Sequence, residues 1–380
     1  MFQTCSQSPY FLTMLMEHLH QLAVYGGISL TAFLIFLLSR DWHKLHKQVL
    51  TGILFHFLVL FVVYALLPGQ ALAISLAPLF ILLLYTLGPL IYTYVESIYH
   101  RHLQIDTAFY WRMRWAFLAL LGMSIIAILP INEALELWLN LGLALLGLVS
   151  LWWFTIAAYR RLIHYRKLIR DQYANTEKLE LQWLSNWMKG MLLLLFADVL
   201  FGLAASVLPQ LQHVLHLNVL AYSIFIVYIG YQGIQQDGVF LPASNKESIE
   251  PQTSTAPSYP NLGSNAAIKH QIEALEKLLK EKELYRQNDL SLRYLAEAMD
   301  LNEKQLSALL NQHLQTNFYE YINRYRVSAV QEAIRRGDAE RYTLLAIALD
   351  CGFSSKSSFN RIFKQHSGQT PTAFKKGFDT

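Results

Sequence analysis

The sequence has 380 residues, of which 54% are hydrophobic and only 15% are charged. Soluble domains usually carry about 25% charged residues, so this composition excludes a chain that is soluble throughout. The net charge of +4 is too small to indicate nucleic-acid binding by itself. The charges are also uneven, since residues 1–240 hold 13 of the 31 Lys and Arg residues and residues 241–380 hold 18. Residues 241–380 are therefore expected to be soluble, and the preceding residues to lie in lipid.

Seven apolar stretches in residues 1–240 are each long enough to cross a bilayer, which takes about 20 residues. They lie at 20–39, 48–67, 70–96, 112–131, 135–159, 188–209 and 213–234. The first stretch lacks the basic start and the small-residue cleavage site of a signal peptide, so it is also predicted to span the membrane. The sequence thus predicts an all-α fold: a bundle of seven transmembrane helices over residues 1–240, followed by a soluble all-α domain.

Basic residues between the expected spans predict their orientation. Lys or Arg occurs in the connections at 40–47, 97–111 and 160–187, and in none of those at 68–69, 132–134 and 210–212. Connections rich in Lys and Arg stay in the cytoplasm. The N-terminus is therefore expected outside the cell, and residues 235–380 are expected in the cytoplasm.

Asp198 lies near the middle of the sixth expected span, and His56 lies near the middle of the second. A carboxylate inside a bilayer is costly and faces the interior of the bundle. Asp198, with His56 as a candidate partner, is therefore predicted to line a ligand pocket or to form a proton-sensitive switch. The alternative is a structural hydrogen bond that holds the bundle together.

The membrane domain is expected to be joined to the soluble domain by a disordered linker. Residues 241–264 contain four Pro and five Ser, a composition that does not bury a core. Residues 265–284 then form an amphipathic helix, with Ile268, Ile272, Leu275 and Leu279 along one side. This helix either dimerises the chain or packs on its own domain, and both alternatives stay open.

Residues 285–380 contain an internal repeat. LAEAMDL at 295–301 matches IALDCGF at 347–353, with an offset of 52 residues. After the turn the offset is 53, and Leu306, Leu309 and Leu310 match Phe359, Ile362 and Phe363. Each unit is predicted to be a helix, a tight turn and a second helix.

Particular residues mark the turns of the repeat. Gly352 and Asp300 occupy the turns, where a residue with positive φ is favoured. Ser355 and Asn302 are expected to cap the second helices. Between the units, residues 317–337 carry an apolar stripe and end at Gly337, which predicts one connecting helix.

Three runs of sequence resemble, in order, the parts of an AraC-type DNA-binding domain. They are SLRYLAEAMDLNEKQLSALLNQHLQTNF, NFYEYINRYRVSAV and AIALDCGFSSKSSFNRIFKQHSGQTPTAF. The seven spans resemble, on fewer residues, the membrane-embedded branch of these regulators. The resemblance implies a regulator in the inner (cytoplasmic) membrane of a bacterium. Asp300 and Gln315 depart from the family, which usually has Gly at both positions.

The resemblance implies that the second helix of each unit enters the major groove of DNA. Candidate base contacts in the second unit are Lys356, Ser357, Asn360 and Arg361. Arg361 suits guanine and Asn360 suits adenine. Candidates in the first unit are Lys304, Gln305, Ser307 and Asn311, with Ala308 at the place that matches Arg361. Candidate phosphate contacts are Arg324, Arg326, Lys364, Lys375 and Lys376.

No motif of an enzyme is present, and no metal site or cofactor is expected. The two cysteines, Cys5 and Cys351, are expected in different compartments, so they form no disulfide within the chain, and Cys351 is expected to be buried.

The favoured function is a one-component transcription regulator. Its partners are double-stranded DNA, the lipid bilayer, an unknown small ligand or membrane signal and, as an open alternative, a second copy of the chain. The other interpretation is a seven-span receptor or transporter whose cytoplasmic domain binds a protein.

Overall fold

A computed structural model of the chain describes residues 8–66, 70–99, 107–176, 179, 181–207, 215–236 and 264–378. Helices dominate these residues, and they contain no strand apart from one isolated bridge between Tyr173 and Ser291, which confirms the all-α fold class. The chain divides into two compact units, Met1–Leu162 with Gln182–Leu241, and Ile163–Leu181 with Pro242–Thr380. This division differs from the expected domains in that residues 163–181 belong to the second unit.

The first unit is built from long apolar helices. They are α1 (Ser8–Ser39), α2 (Leu45–Leu66), α3 (Gln70–Tyr99), α4 (Thr107–Ile128), α5 (Glu133–Gln172), α6 (Gln182–Val207) and α7 (Leu215–Gln235). From Ile163 onward, α5 belongs to the second unit. Five segments among the described residues are long and apolar enough to cross a membrane: Gln21–Ser39, Leu45–Val63, Ile81–Tyr99, Phe109–Ile128 and Glu133–Gln172. Helices α6 and α7 lie where the sixth and seventh spans are expected, but they are not among these five.

Close helix packing within the first unit depends on small residues. A Cβ atom built on Gly230 of α7 would overlap Leu34 of α1, and one built on Gly233 would overlap Leu50 of α2. Glycines that allow helices to approach closely are common between helices that pack in membranes. Buried Lys47 of α2 donates hydrogen bonds to the carbonyl oxygens of Gly233 (2.6 Å) and Ile234 (2.8 Å), so it caps the C-terminal end of α7.

The second unit consists of short helices. After α8 (Asn265–Glu281) and a 3₁₀ turn (Leu284–Arg286) come α9 (Leu292–Glu297), α10 (Glu303–Ala308), α11 (Phe318–Arg335), α12 (Asp338–Arg341), α13 (Leu344–Asp350), α14 (Lys356–Ser367) and α15 (Pro371–Lys376). A π-helical segment, Leu309–His313, follows α10. Helix α11 ends before Gly337, whose φ of 84° stops it, as the sequence predicts.

Two apolar cores lie in the second unit, one under each repeat, and α11 contributes to both. Phe318 and Ile322 of α11 belong to the first core, and Val330 and Ile334 to the second. Because one helix is shared, the two repeats are held on a common rigid element. Leu275 and Leu279 of α8 are fully buried in the first core, so the apolar side of α8 packs on its own domain.

Candidate nucleic-acid interface

The internal repeat read from the sequence is present in the backbone. The turn residues Asp300 and Gly352 have φ of 55° and 93°, and Gln315 and Gly368 repeat the pattern further on with 51° and 76°. The turn hydrogen bonds also correspond, since Leu301 N donates to Ala296 O (2.9 Å) as Phe353 N donates to Ala348 O (3.1 Å). The predicted positive φ values at Asp300 and Gly352 are confirmed, and each repeat is a helix-turn-helix.

The expected N-caps of the second helices are also confirmed. The Ser355 hydroxyl accepts a hydrogen bond from Ser358 N over 3.1 Å at the start of α14. The side-chain oxygen of Asn302 accepts one from Gln305 N over 2.9 Å at the start of α10. Such caps satisfy backbone N–H groups that have no partner inside the helix, and they fix where each helix begins.

In the second repeat, α14 has a buried apolar side and an exposed polar side, and Ser358 is a polar residue that is buried. Phe359, Ile362 and Phe363 are buried in the second core. The four residues expected to contact bases are all exposed: Lys356, Ser357, Asn360 and Arg361. The opposite, exposed side of α14 therefore carries a row of hydrogen-bond donors and acceptors. The second core fixes the position of this helix.

The Arg361 side chain is oriented by the connecting helix. Its Nη2 atom donates a hydrogen bond to the Tyr319 hydroxyl over 3.0 Å. Tyr319 is buried at the start of α11, so the guanidinium group is hydrogen-bonded to a side chain that packing holds in place. Two further contacts join the same elements, Gln365 Nε2 to Glu320 Oε1 (3.2 Å) and His366 Nε2 to Glu320 Oε2 (3.1 Å).

The first repeat is less suited to reading bases than the second. Gln305 uses its side-chain oxygen to accept from Asn302 N (2.9 Å), which completes a capping box. Asn311 lies in the π-helical segment, and its Nδ2 atom donates to the hydroxyl of Ser307 in α10 over 3.2 Å. Lys304 is exposed. Ala308, which matches Arg361, is fully buried, so no side chain of this repeat takes the place of that arginine.

The candidate phosphate contacts fall into two groups. Arg324, Lys364 and Lys376 are exposed. Lys375, at the end of α15, is half-buried, and its Nζ atom donates to Ala339 O over 2.9 Å.

Arg326 corrects the expectation made from the sequence. It is only 1% exposed, and its guanidinium group donates to the carbonyl oxygens of Tyr285 (2.8 Å), Gln287 (2.8 Å) and Ala174 (3.2 Å). Burial lowers the pKa of Arg326 to about 10, which leaves the group charged at neutral pH. A side chain so occupied is withdrawn from solvent, and it ties α11 to two neighbouring segments rather than to a phosphate.

The residues expected to receive a signal lie in the first unit. The ring nitrogens of His56 lie 2.7 Å from Gly52 O and 2.7 Å from the Thr86 hydroxyl, so His56 joins α2 to α3. Asp198 lies in α6, but its side chain is outside the described residues. The expected linker at 241–264 is likewise outside them, except for Ser264, which caps α8. Within the described ranges, no group of three or more His, Cys, Asp or Glu is placed to hold a metal.

Sequence reasoning missed one part of the second unit, the C-terminal end of α5 together with the connection from α5 to α6. Ala174 lies 1% exposed in the first core, and residues 163–171 line an open groove of about 630 Å³ together with residues of the first repeat. The groove is lined by Ile163, Arg166, Lys167, Arg170, Asp171, Asn311, Gln315, Thr316, Asn317 and Glu320. Its basic residues had marked this connection only as cytoplasmic, and no local pattern indicated that it packs on the repeats.

Comparisons with known proteins agree with this geometry. Residues 295–377 match the family model described as a helix-turn-helix domain. The chain is 34% identical over 93 residues to uncharacterized HTH-type transcriptional regulators of Staphylococcus aureus, strains COL and MSSA476. The match covers 24% of this chain and 12% of those relatives, so the chain spans a small part of their length. No solved structure is significantly similar to the chain. The geometry and these similarities agree that residues 295–377 form a helix-turn-helix domain.

Proposed function

We propose that the chain is a one-component transcription regulator of the bacterial cytoplasmic membrane, which binds double-stranded DNA in a sequence-specific way under the control of a signal received by its membrane helices. The observation that carries this proposal is the exposed polar row Lys356, Ser357, Asn360 and Arg361. It lies on a capped helix whose other side is buried, and its arginine is held by Tyr319.

In this proposal α14 lies in the major groove and reads bases through that row. Arg361 contacts a guanine with two hydrogen bonds, and Asn360 contacts an adenine. Helix α11 has 18 residues, and its length of about 27 Å is comparable with the roughly 34 Å between successive major-groove faces. Both repeats then reach the same side of one duplex. The first repeat contributes less sequence preference, since Gln305, Ser307 and Asn311 already have partners within the helix.

The phosphate contacts in this proposal are Arg324, Lys364, Lys375 and Lys376. Such contacts supply affinity for any sequence and make binding sensitive to salt. The base contacts of the second repeat then supply most of the discrimination between sequences.

The membrane part of the proposal has seven spans, with the N-terminus outside and the second unit in the cytoplasm. The five apolar segments and the helices α6 and α7 support it. Large apolar side chains exposed on α4 and α5, such as Trp111, Phe117 and Trp153, suit contact with lipid. Asp198 and His56 are proposed to respond to the signal, a small ligand or a proton, because polar groups inside a bilayer mark functional sites.

Selection of DNA by the full chain in lipid nanodiscs tests the proposal. A random pool of duplexes is enriched on the protein at two salt concentrations, with Arg361→Ala as the matched variant. We expect an enriched motif with two half-elements about one helical turn apart, with one base position relaxed in the variant. Sequence-blind binding that disappears at the higher salt concentration would instead favour a receptor or transporter whose cytoplasmic domain binds a protein.

A further inference from the structure

The connection between α5 and α6 is built into the second unit as if it were a part of the DNA-binding domain. Tyr173 and Ser291 form an antiparallel bridge, and Ala174 N donates to Leu290 O over 3.1 Å. The Ala174 carbonyl oxygen accepts from Asn323 Nδ2 (3.3 Å) and from Arg326 Nη1 (3.2 Å). The connection is thereby joined to the segment that precedes the first repeat and to the connecting helix α11.

Asn175 extends these contacts to both repeats. Its Nδ2 atom donates to Asn288 Oδ1 over 2.8 Å, and its Oδ1 atom accepts from the Ser354 hydroxyl over 2.9 Å. Asn288 lies just ahead of Ser291, the N-cap of α9. Ser354 directly precedes Ser355, the N-cap of α14. One amide therefore links the start of the first repeat with the start of the second reading helix.

The segment that precedes the first repeat touches the second repeat close to this amide. The backbone of Gly352 passes so near Tyr285 and Arg286 that a Cβ atom there would lie 2.5 Å from Tyr285 O. Arg286 Nη1 also lies 2.7 Å from Asp350 Oδ2. Asn175 thus binds where the segment that leads into the first repeat meets the turn of the second repeat. A small displacement at this place alters the angle between the two reading helices.

We propose that Asn175 is a positioning residue for DNA reading, and that through it the connection between α5 and α6 fixes the spacing of the two reading helices. This inference rests on the proposed function. A signal could then pass from the membrane helices to the reading helices through α5 and not through the segment at 241–264. Helix α5 is continuous from Glu133 to Gln172, and Ala174 follows its last residue by two positions.

The experiment measures how strongly the full chain in nanodiscs prefers its selected operator over two operators whose half-elements are one base pair closer or further apart. Asn175→Ala removes the side-chain hydrogen bonds to Asn288 and Ser354, and we expect it to lower this preference by about two- to tenfold. In Asn175→Asp, one carboxylate oxygen still accepts a hydrogen bond from Ser354. The other oxygen can accept from Asn288 once the Asn288 amide has flipped. This variant should therefore retain most of the preference for spacing. Asn265→Ala truncates an exposed asparagine of α8 in the same unit and should change nothing.

Preference for spacing separates a positioning role from a merely structural one, since loss of folded protein lowers binding to all three operators equally. An Asn175→Ala variant with such an equal loss, or with no loss, would overturn the inference. If that variant does not accumulate, Asn288→Ala and Ser354→Ala each remove one of the two bonds and should each lower the preference, and an unchanged ratio in both would overturn it as well. A wild-type chain that selects no operator would instead refute the proposed function, and this inference with it.

A second variant tests the route. Insertion of 12 Gly and Ser residues into the segment at 241–264 should leave the preference for spacing unchanged, because the connection at 173–176 stays intact. A preference that falls with the longer segment, while Asn175→Ala has no effect, would assign the positioning to that segment.

Discussion

The exposed guanidinium group of Arg361 donates a hydrogen bond to the buried hydroxyl of Tyr319 over 3.0 Å. An arginine side chain has several rotatable bonds, and ordering it on DNA costs free energy. Under the proposed function, a fixed acceptor at the start of α11 reduces that cost, since the group is partly ordered before DNA arrives. Arg361 and the helix that connects the repeats would then act together in reading a base.

Loss of Arg361 and loss of its partner should affect the same base position. We expect Arg361→Ala to weaken binding to the preferred operator by about 1–3 kcal/mol and to relax one base position. Tyr319→Phe should relax that same position by less, because the arginine remains but loses its fixed acceptor. Binding titrations on operators substituted at each position distinguish these effects, and an equal loss on every sequence would make Arg361 a phosphate contact.

Two neighbouring arginines of α11 should behave in opposite ways. Arg326→Ala removes the guanidinium donor from the carbonyl oxygens of Tyr285, Gln287 and Ala174, of which only Ala174 O keeps a hydrogen bond, from Asn323, among the contacts described above. We expect the second unit to lose roughly 3 kcal/mol of stability. The exposed Arg324→Ala should change stability by less than about 0.5 kcal/mol, yet weaken binding to all DNA sequences. Hydrogen exchange of the α11 amides measures the first quantity and DNA titration the second. Similar exchange rates of the α11 amides in both variants would show that the hydrogen bonds of Arg326 do not stabilise the second unit.

The turn residues offer a graded test of backbone strain. Gly352→Ala places a Cβ atom 2.5 Å from Tyr285 O at a φ of 93°, and should destabilise the second unit by more than about 2 kcal/mol. Gly368→Ala has a similar φ of 76° but open space around it, so it should show only the cost of the dihedral angle, about 1–2 kcal/mol. Asp300→Gly and Gln315→Gly should stabilise by roughly 0.5 kcal/mol, since both residues have positive φ. An equal loss of stability in Gly352→Ala and Gly368→Ala would show that the close approach of Gly352 to Tyr285 O adds no cost.

The buried thiol of Cys351 should be unreactive in the folded protein. Burial raises the pKa of Cys351 to about 11, so the neutral thiol dominates at pH 8. In a Cys5→Ser background, alkylation at pH 8 should be far slower in the folded chain than in urea. Because the folded state holds this proton more tightly than the unfolded state, Cys351 should also make stability fall as pH rises from about 9 to about 11. Equal alkylation rates in buffer and in urea would show that the thiol is accessible.

The sequence was informative where the physics is local. A repeat offset of 52 and then 53 residues located both turns, the positive φ at Asp300 and Gly352, and the caps at Asn302 and Ser355. The apolar spacing of Phe359, Ile362 and Phe363 predicted which side of α14 is buried. Each of these features depends on residues within a few positions of one another, or on one helical period.

The sequence was less informative where contacts join distant residues. Arg326 carries the same charge as Arg324, and only the fold shows that one is buried against Ala174, 152 residues away, and the other is not. Asn175 lies in a basic connection with no apolar period, so nothing local indicated its contacts to Asn288 and Ser354. The partners of a buried polar group are set by tertiary packing, and a single sequence does not contain them in readable form.

The most direct measurement is flotation of DNA with liposomes that hold the full chain, using labelled operator and a scrambled duplex of the same length in one density gradient. The liposomes are first washed at alkaline pH, and the DNA is added after their return to neutral pH. A membrane-embedded chain that reads DNA should then carry the operator to the top of the gradient and leave the scrambled duplex at the bottom. Arg361→Ala should remove most of the operator from the floating fraction while the protein still floats. Equal flotation of both duplexes, or protein that the alkaline wash strips from the lipid, would show that the chain is not a membrane-embedded reader of DNA sequence.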